Sequence, residues 1–233
     1  MTISVVMPYW RRAEVTKRSL ALYEKHYAGK LDFQVVLVDD GSRDIYVDEP
    51  PPYPWLTVIH LAQKDTPKNP CVPINAGVMV ARGDVIVLTN PEIMHHQPVL
   101  GQMYETLQEL GDNGYVLAAC WFEQEKQWHC HSSMTKDGWH QGSNARQPVG
   151  SGFHFCAMLN RSLWTKAGGF DDEYRDGAYY DDPDWVNRVS RAGAIFKIRD
   201  DLVVEHVRQG AEVNWPGGAA DRNKAIFLRK WPS

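Results

Sequence analysis

The chain has 233 residues, 43% of them hydrophobic and 23% charged, with a formal net charge of −4. That composition matches a globular protein with enough apolar material for a full core, and the slightly acidic balance excludes a global attraction to nucleic-acid backbones or anionic lipid. No apolar run approaches the roughly 20 residues that cross a bilayer, the opening Ile3-Ser4-Val5-Val6-Met7 is too short for a signal peptide, and the four scattered cysteines form no CxxC pair, so the expectation is a cytoplasmic protein with free thiols.

Residues 3–7 read as a buried strand and 13–27 as a helix, with Val15, Leu20 and Leu22 among charges. Residues 33–38 are an apolar run, interrupted only by Gln34, of the kind that parallel sheets bury on both faces. A proline cluster, Pro50-Pro51-Pro52-Tyr53-Pro54, must be extended loop, and a third strand follows at 55–60. Residues 74–81 form a short helix stopped at Gly83, and 85–88 a fourth strand. Strand and helix alternating in this way predict right-handed βαβ units in an open, mostly parallel α/β sheet flanked by helices. Beyond them, 115–120 and 153–159 read as strands, and 161–167, 184–192 and 221–230 as helices. The stretch 121–150 is polar and rich in aromatics, and reads as hairpins and loops. With no repeat, low-complexity segment or long linker, residues 1–233 are expected to form one domain of two halves, about 1–115 and 116–233.

Ligands on such sheets sit beyond the carboxyl ends of the strands. Three of the four N-terminal strands end there in polar residues: Pro8-Tyr9-Trp10, Asp39-Asp40-Gly41-Ser42 and Thr89-Asn90-Pro91-Glu92. Carboxylates at strand ends bind a base or ribose, or hold a hard cation through oxygen; Asp-Asp-Gly-Ser by itself is equally an Asx turn. No GxGxxG follows the first strand, and no GxxxxGK[ST] occurs anywhere, so a dinucleotide fingerprint and a P-loop are both absent. The basic residues Arg11, Arg12, Lys17 and Arg18 read as a solvated helix face.

These residues resemble a family-2 glycosyltransferase of the GT-A fold, a resemblance that runs over nearly the whole chain. Ser4-Val5-Val6-Met7-Pro8-Tyr9-Trp10 is similar to the family's opening strand and exit, and Val36-Leu37-Val38-Asp39-Asp40-Gly41-Ser42 to its most recognisable signature. Asn75-Ala76-Gly77 and Ala81-Arg82-Gly83-Asp84-Val85-Ile86 resemble the helix and strand leading into its DXD motif, with Ile74 where the family has Arg. The resemblance implies a donor site at Pro8, Trp10, Asp39, Asn75 and Asn90, with Asp39 on the nucleobase. The DXD positions fall on Asn90, Pro91 and Glu92, so a carboxylate stands only at the last, the one implied to reach a Mn²⁺ or Mg²⁺ ion. Without the Arg, neutralisation of the diphosphate falls to Lys68 or the metal.

In the second half, Gly168-Gly169-Phe170-Asp171 and Tyr180-Asp181-Asp182-Pro183-Asp184-Trp185-Val186-Asn187-Arg188 resemble the family's acceptor-side motifs. That places Gly169, Phe170 and Asp181 on the acceptor side, with Asp182 as catalytic base. The chemistry agrees, because a sugar hydroxyl must lose its proton as it attacks; the plainer reading is that both acids cap a helix. His206 matches a histidine given to the metal or diphosphate, with a structural hydrogen bonder as its equal alternative. The C-terminal run from Asn223 to Trp231 resembles the end of many family members, and reads equally as a helix that docks Phe227, Leu228 and Trp231 inward. Trp128-His129-Cys130-His131 with His140 matches no standard zinc spacing, and His95-His96 read as capping the next helix. Trp121, Phe122, Trp128 and Trp139 read either as packing or as a sugar platform.

The implied function is transfer of a sugar from a nucleoside-diphosphate sugar, UDP-linked by preference, to an acceptor hydroxyl, with inversion and a divalent metal. The acceptor stays open between a glycan, a lipid-linked sugar, a protein and a modified nucleobase. The alternatives are a retaining or metal-independent transferase, favoured by the altered Asn90-Pro91-Glu92, and a non-catalytic nucleotide-sugar-binding domain. A nucleotidyltransferase would need a Gly-rich loop where Pro8-Tyr9-Trp10-Arg11-Arg12 stands.

Overall fold

In the computed structural model of the chain, residues 2–66, 68–133, 155–207 and 215–232 are described. The opening apolar run forms strand β1 (Ile3–Tyr9), followed by helix α1 (Ala13–Tyr27), β2 (Phe33–Asp39), β3 (Leu56–His60), α2 (Cys71–Val80) and β4 (Val85–Thr89). β1 pairs in parallel with both β2 and β4, and β2 with β3. The sheet stands between helices, so β1, β2 and β4 are almost wholly buried, as their largely apolar character requires. α1 lays Val15, Thr16, Ser19, Leu20, Tyr23 and Tyr27 inward at helical spacing. α2 comes so close to the sheet that a Cβ on Gly77 would lie 2.5 Å from Val6 and 3.0 Å from Val38.

The chain then adds β5 (Ile93–Met94), α3 (Leu100–Leu110), β6 (Gly114–Phe122), β7 (Gln127–Cys130), β8 (Cys156–Asn160), α4 (Arg161–Ala167), α5 (Asp181–Arg191), β9 (Ile195–His206) and α6 (Ala219–Lys230). The nine strands form one sheet in the order β3-β2-β1-β4-β8-β6-β9-β5, with β7 on β6. β8 runs antiparallel to both β4 and β6, while β6 and β9 are parallel. The expected α/β sheet flanked by helices is therefore present, parallel through its first four strands and mixed beyond them. Among the described residues, no helix is long and apolar enough to cross a membrane.

Several expectations need correcting. α5 begins at Asp181, three residues before the predicted start. The residue before a proline disfavours helix, yet Pro183 is tolerated in a first turn, where its missing N–H has no intrahelical partner to lose. β9 and α3 carry no element in the sequence reading. α6 buries Phe227, but Leu228 on its outer face is 50% exposed.

Candidate active site

The carboxyl ends of β1, β2 and β4 open onto one cleft lined by Pro8, Trp10, Arg12, Asp40, Lys68, Asn90 and Glu92. A second cavity, lined by Thr89, Phe155, Tyr179, Tyr180, Asp181 and Asp182, adjoins it. Pro70, Asn90 and Trp215 line both. Pro8, Trp10, Asn90, Glu92, Asp181 and Asp182 are thus brought together as the sequence implied. Asp39, Asn75, Gly169, Phe170 and His206 do not line either cavity.

Asp39 is fully buried and saturated. Its Oδ1 accepts from the Gly41 amide at 3.2 Å, the Ser42 amide at 2.8 Å and the Ser42 hydroxyl at 2.7 Å. Its Oδ2 accepts from the Arg43 amide and lies against His60 Nδ1, both at 2.9 Å. Burial alone would raise this carboxyl, but the bonds from Ser42, His60 and Arg43 outweigh it and hold it below the ordinary range. The turn it organises passes through Gly41 at φ 95°, where a Cβ would meet Ala62 O at 2.3 Å. The structure therefore places Asp39 as the organiser of the turn and puts Asp40 in the cleft. Asp40 Oδ1 takes Lys64 Nζ at 2.5 Å, and Oδ2 takes the Lys68 amide. Burial still lifts Asp40 above the usual carboxylate range.

Asn75 is likewise structural. Its amide donates to Phe170 O at 2.8 Å and to Asp172 at 3.1 Å, and its Oδ1 accepts from the Phe170 amide at 3.0 Å. It staples α2 to the Gly168-Gly169-Phe170-Asp171 turn. Phe170 is 3% exposed and stacks on Trp185 with centroids 4.9 Å apart. That turn lies between α4 and α5, and neither Gly169 nor Phe170 lines either cavity.

The acid pair opens α5, where unpaired amides and the helix dipole favour negative charge. Both preceding tyrosines have positive φ, 61° at Tyr179 and 68° at Tyr180; such backbone is costly for non-glycine residues and collects at functional sites. Asp181 is buried, and Asn69 Nδ2 donates to its Oδ1 at 2.9 Å. Asp184, one turn on, is held by Tyr174, Trp231 and Arg188. Asp182 faces the cavity. Burial, and then the charge of Asp181, push its carboxyl well above the usual range, the direction a general base at neutral pH needs.

Glu92 follows β4 and precedes β5, whose Ile93 pairs with His206 on β9. This pairing sets His206 Nε2 3.6 Å from Glu92 Oε1, although His206 itself does not line the cleft. Arg12 forms an ion pair with the same oxygen. Burial would raise Glu92, but His206 and the Arg12 guanidinium together bring it down to about 2. Its Oε2 is buried with no hydrogen-bond partner among the described residues. Among those residues, no three acidic, His or Cys side chains converge as a metal site. Ions in phosphate-transfer sites take one or two carboxylates and fill the remaining positions with phosphate oxygens and water, and the orphaned Oε2 beside Asn90 fits that pattern.

Sequence reasoning missed Arg12, Asp40, Asn69 and Trp215. Arg12 had a signal, since it closely follows the exit of the first strand; the parallel pairing of β1 with β4 is what brings it to the acid after β4. His95 is not a cap. It is fully buried between Tyr23 Oη at 3.2 Å and Tyr27 Oη at 2.8 Å, and burial lowers it to about 3. Of the supposed zinc cluster, Cys130 is in the core and His129 lies against His206 with Nδ1 atoms 3.2 Å apart. His131 contacts Ser133; His140 and Trp139 lie outside the described residues. Trp121 and Trp128 pack edge to face at 5.0 Å.

In overall shape the chain is similar to two solved structures of S. aureus TarS 1-349, both 16% identical. One superposes with a TM-score of 0.65, covering 89% of this chain and 60% of that one. The other, a complex with UDP-GlcNAc, gives 0.67 with 91% and 60% covered. The chain thus spans about three fifths of the length of those chains, and the likeness shows the GT-A fold. No curated protein matches the sequence significantly. Residues 4–166, well over half of the chain and including β1 through α2 and the Asn90–Glu92 exit, match the profile of Glycosyl transferase family 2, and the chain belongs to that family.

Proposed function

We propose that this chain transfers a sugar from a UDP-linked donor to an acceptor hydroxyl, with inversion at the anomeric carbon. The observation that carries the reading is the shared wall of the two cavities: Pro70, Asn90 and Trp215 border both, so Asp182 opens onto the same space as the donor cleft. Family membership supports transfer chemistry, and the UDP-GlcNAc complex of the TarS structure supports a UDP-sugar donor.

The donor's nucleotide lies along Pro8, Trp10 and Asp40, with Asp39 fixing the turn that presents Asp40. The acceptor oxygen attacks C1 of the sugar while Asp182 takes its proton. The bond from C1 to the diphosphate breaks, and the leaving UDP departs with the electron pair. Arg12 and Lys68, both lining the cleft, lie where cationic side chains offset that negative charge. Glu92 and Asn90 would hold a Mn²⁺ or Mg²⁺ ion, with His206 beside Glu92; such an ion supplies further electrostatic stabilisation of the leaving diphosphate. The four buried cysteines, none in a disulfide, support a reducing, cytoplasmic setting.

The test is a thermal-shift screen of nucleotide sugars with and without Mn²⁺, followed by transfer assays with the donor that binds. A ligand at 100 times its Kd adds about 2.7 kcal/mol of stability. No shift with any UDP-sugar would remove the donor assignment. Tight binding without transfer to any acceptor or to water would make the chain a nucleotide-sugar-binding module.

A further inference from the structure

Asn69 has no role in the sequence reading, yet it stands between Lys68, which lines the first cavity, and Pro70, which lines both. It is fully buried. Its Oδ1 accepts from the Cys71 amide at 3.0 Å and so caps the start of α2, while its Nδ2 donates to Asp181 Oδ1 at 2.9 Å and sits 3.5 Å from Gly177 O. The Asn69 amide in turn donates to Arg175 O at 3.1 Å. With its carbonyl oxygen committed to α2, the side chain can present only N–H to Asp181, an interaction that favours a carboxylate over a carboxylic acid.

We propose that Asn69 is a positioning residue that keeps Asp181 as the ionised member of the acid pair, so that Asp182 is the member that takes the acceptor's proton. This rests on the reading of Asp182 as base and says why the base is Asp182 and not its neighbour. Two adjacent carboxylates at a buried helix start compete for one proton, and the pair titrates as a unit. Burial raises Asp181 as well, but the donor from Asn69, with the amides of Asp181 and Asp182, works against that rise and supports charge on Asp181, whereas Asp182 is pushed further up by burial and by Asp181. That fixed charge favours the proton on Asp182, giving it the basicity that a poor nucleophile requires. The other groups facing the pair do not supply this bias. Asp184 on α5 acts on Asp181 in the opposite sense. Cys71 on α2 and Tyr115 on β6 are both pushed up by burial and stay neutral.

The experiment reads the two carboxyls directly, by ¹³C NMR of aspartate-labelled protein across pH, with Asp181→Asn and Asp182→Asn assigning the signals. Asn69→Ser keeps an acceptor for the Cys71 amide but is too short to reach Asp181. In it, Asp181 should titrate at higher pH than in the wild type, and Asp182 about one pH unit lower. The acid limb of UDP release from UDP-GlcNAc, with water as acceptor, should move down with Asp182 and the maximal rate should fall about tenfold. Unmoved titrations in folded Asn69→Ser would overturn the proposal, whatever happened to the rate. If Asn69→Ser does not fold, Asn69→Asp preserves size and cap; there Asp181 must again take its proton at higher pH, and an unmoved Asp181 overturns the proposal. The base reading fails separately, through an Asp182→Asn variant that still releases UDP at the wild-type rate.

Discussion

Two Asp-Asp pairs border the two adjoining cavities, one at the end of β2 and one at the start of α5, and they differ in what surrounds the second residue. In both pairs the first aspartate is committed to structure: Asp39 to its own turn and His60, Asp181 to Asn69. The second faces a cavity in both. Asp40 meets Lys64 and the Lys68 amide, whereas Asp182 has the charge of Asp181 beside it. Burial lifts both, but the cation and the amide that Asp40 meets work against that rise and support its charge. The charge of Asp181 instead adds to the rise of Asp182, which is why the proposed reading gives the proton to Asp182 and the ligand to Asp40.

The sharpest way to break this comparison is Asp182→Asn, which keeps the shape and cannot accept a proton. Turnover should fall by about 10²–10⁴ while donor affinity by calorimetry stays within a few-fold; the matching Asp40→Asn should show the reverse pattern. A near-normal rate for Asp182→Asn would dissolve the distinction between the pairs.

Asp39→Ala tests the structural member of the first pair. It strands several buried N–H groups and should cost about 2–4 kcal/mol in denaturant unfolding. Because the folded Asp39 carboxyl is lowered, its contribution is present above the unfolded value near 3.9 and is lost as pH falls through the folded one. The difference between Asp39→Ala and wild type should therefore shrink on acidification below about pH 4. An unchanged stability with lost UDP binding would return Asp39 to the donor site.

Asp40→Ala should weaken UDP binding by about 1.5–3 kcal/mol, the size of a lost charge-assisted hydrogen bond. Glu92 sharpens the contrast from a third position, because its carboxyl already has Arg12. EDTA should abolish transfer, Mn²⁺ should restore it, and Glu92→Ala should behave as the metal-free protein does; full activity in EDTA would leave Arg12 and Lys68 as the clamp on the diphosphate.

The smallest effect is on stability at the second pair. Asp182 is raised in the fold, so its contribution is full below the unfolded value and is lost as pH rises through the raised one. Asp182→Asn should consequently be more stable than wild type at pH 8, by about 0.5–2 kcal/mol, and lose that advantage near pH 4. A destabilised Asp182→Asn at pH 8 would mean that the charge is held by bonds and not merely endured.

The N-terminal half was legible because its signals are local. The largely apolar runs at 3–7, 33–38 and 85–88, rich in Val and Ile, read as buried strands, and the helix at 13–27 matches α1 at both ends. β9 escaped because Ile195–His206 carries polar residues through its middle and slips register against β6 between Ala118 and Ala119; no regular period survives such a shift. Of the residues that motif position singled out, Asn90 and Asp182 line the cavities, whereas Asp39, Asn75, Gly169 and Phe170 line neither, and Asp39 and Asn75 are engaged in hydrogen bonds within the fold.

What the amino-acid order determined by itself is the layered α/β architecture, the strand ends on which a site must stand, and the identity of the acids there, since periodicity and strand termination are properties of short segments. The division of labour among those acids was decided only in three dimensions. Whether Asp39 or Asp40 reaches the cleft, whether Arg12 meets Glu92, and whether Asn69 reaches Asp181 112 residues away all depend on which donors the fold delivers to each carboxylate. Charge and proton affinity in a buried site are set by those neighbours within a few ångströms, and sequence distance carries no information about them.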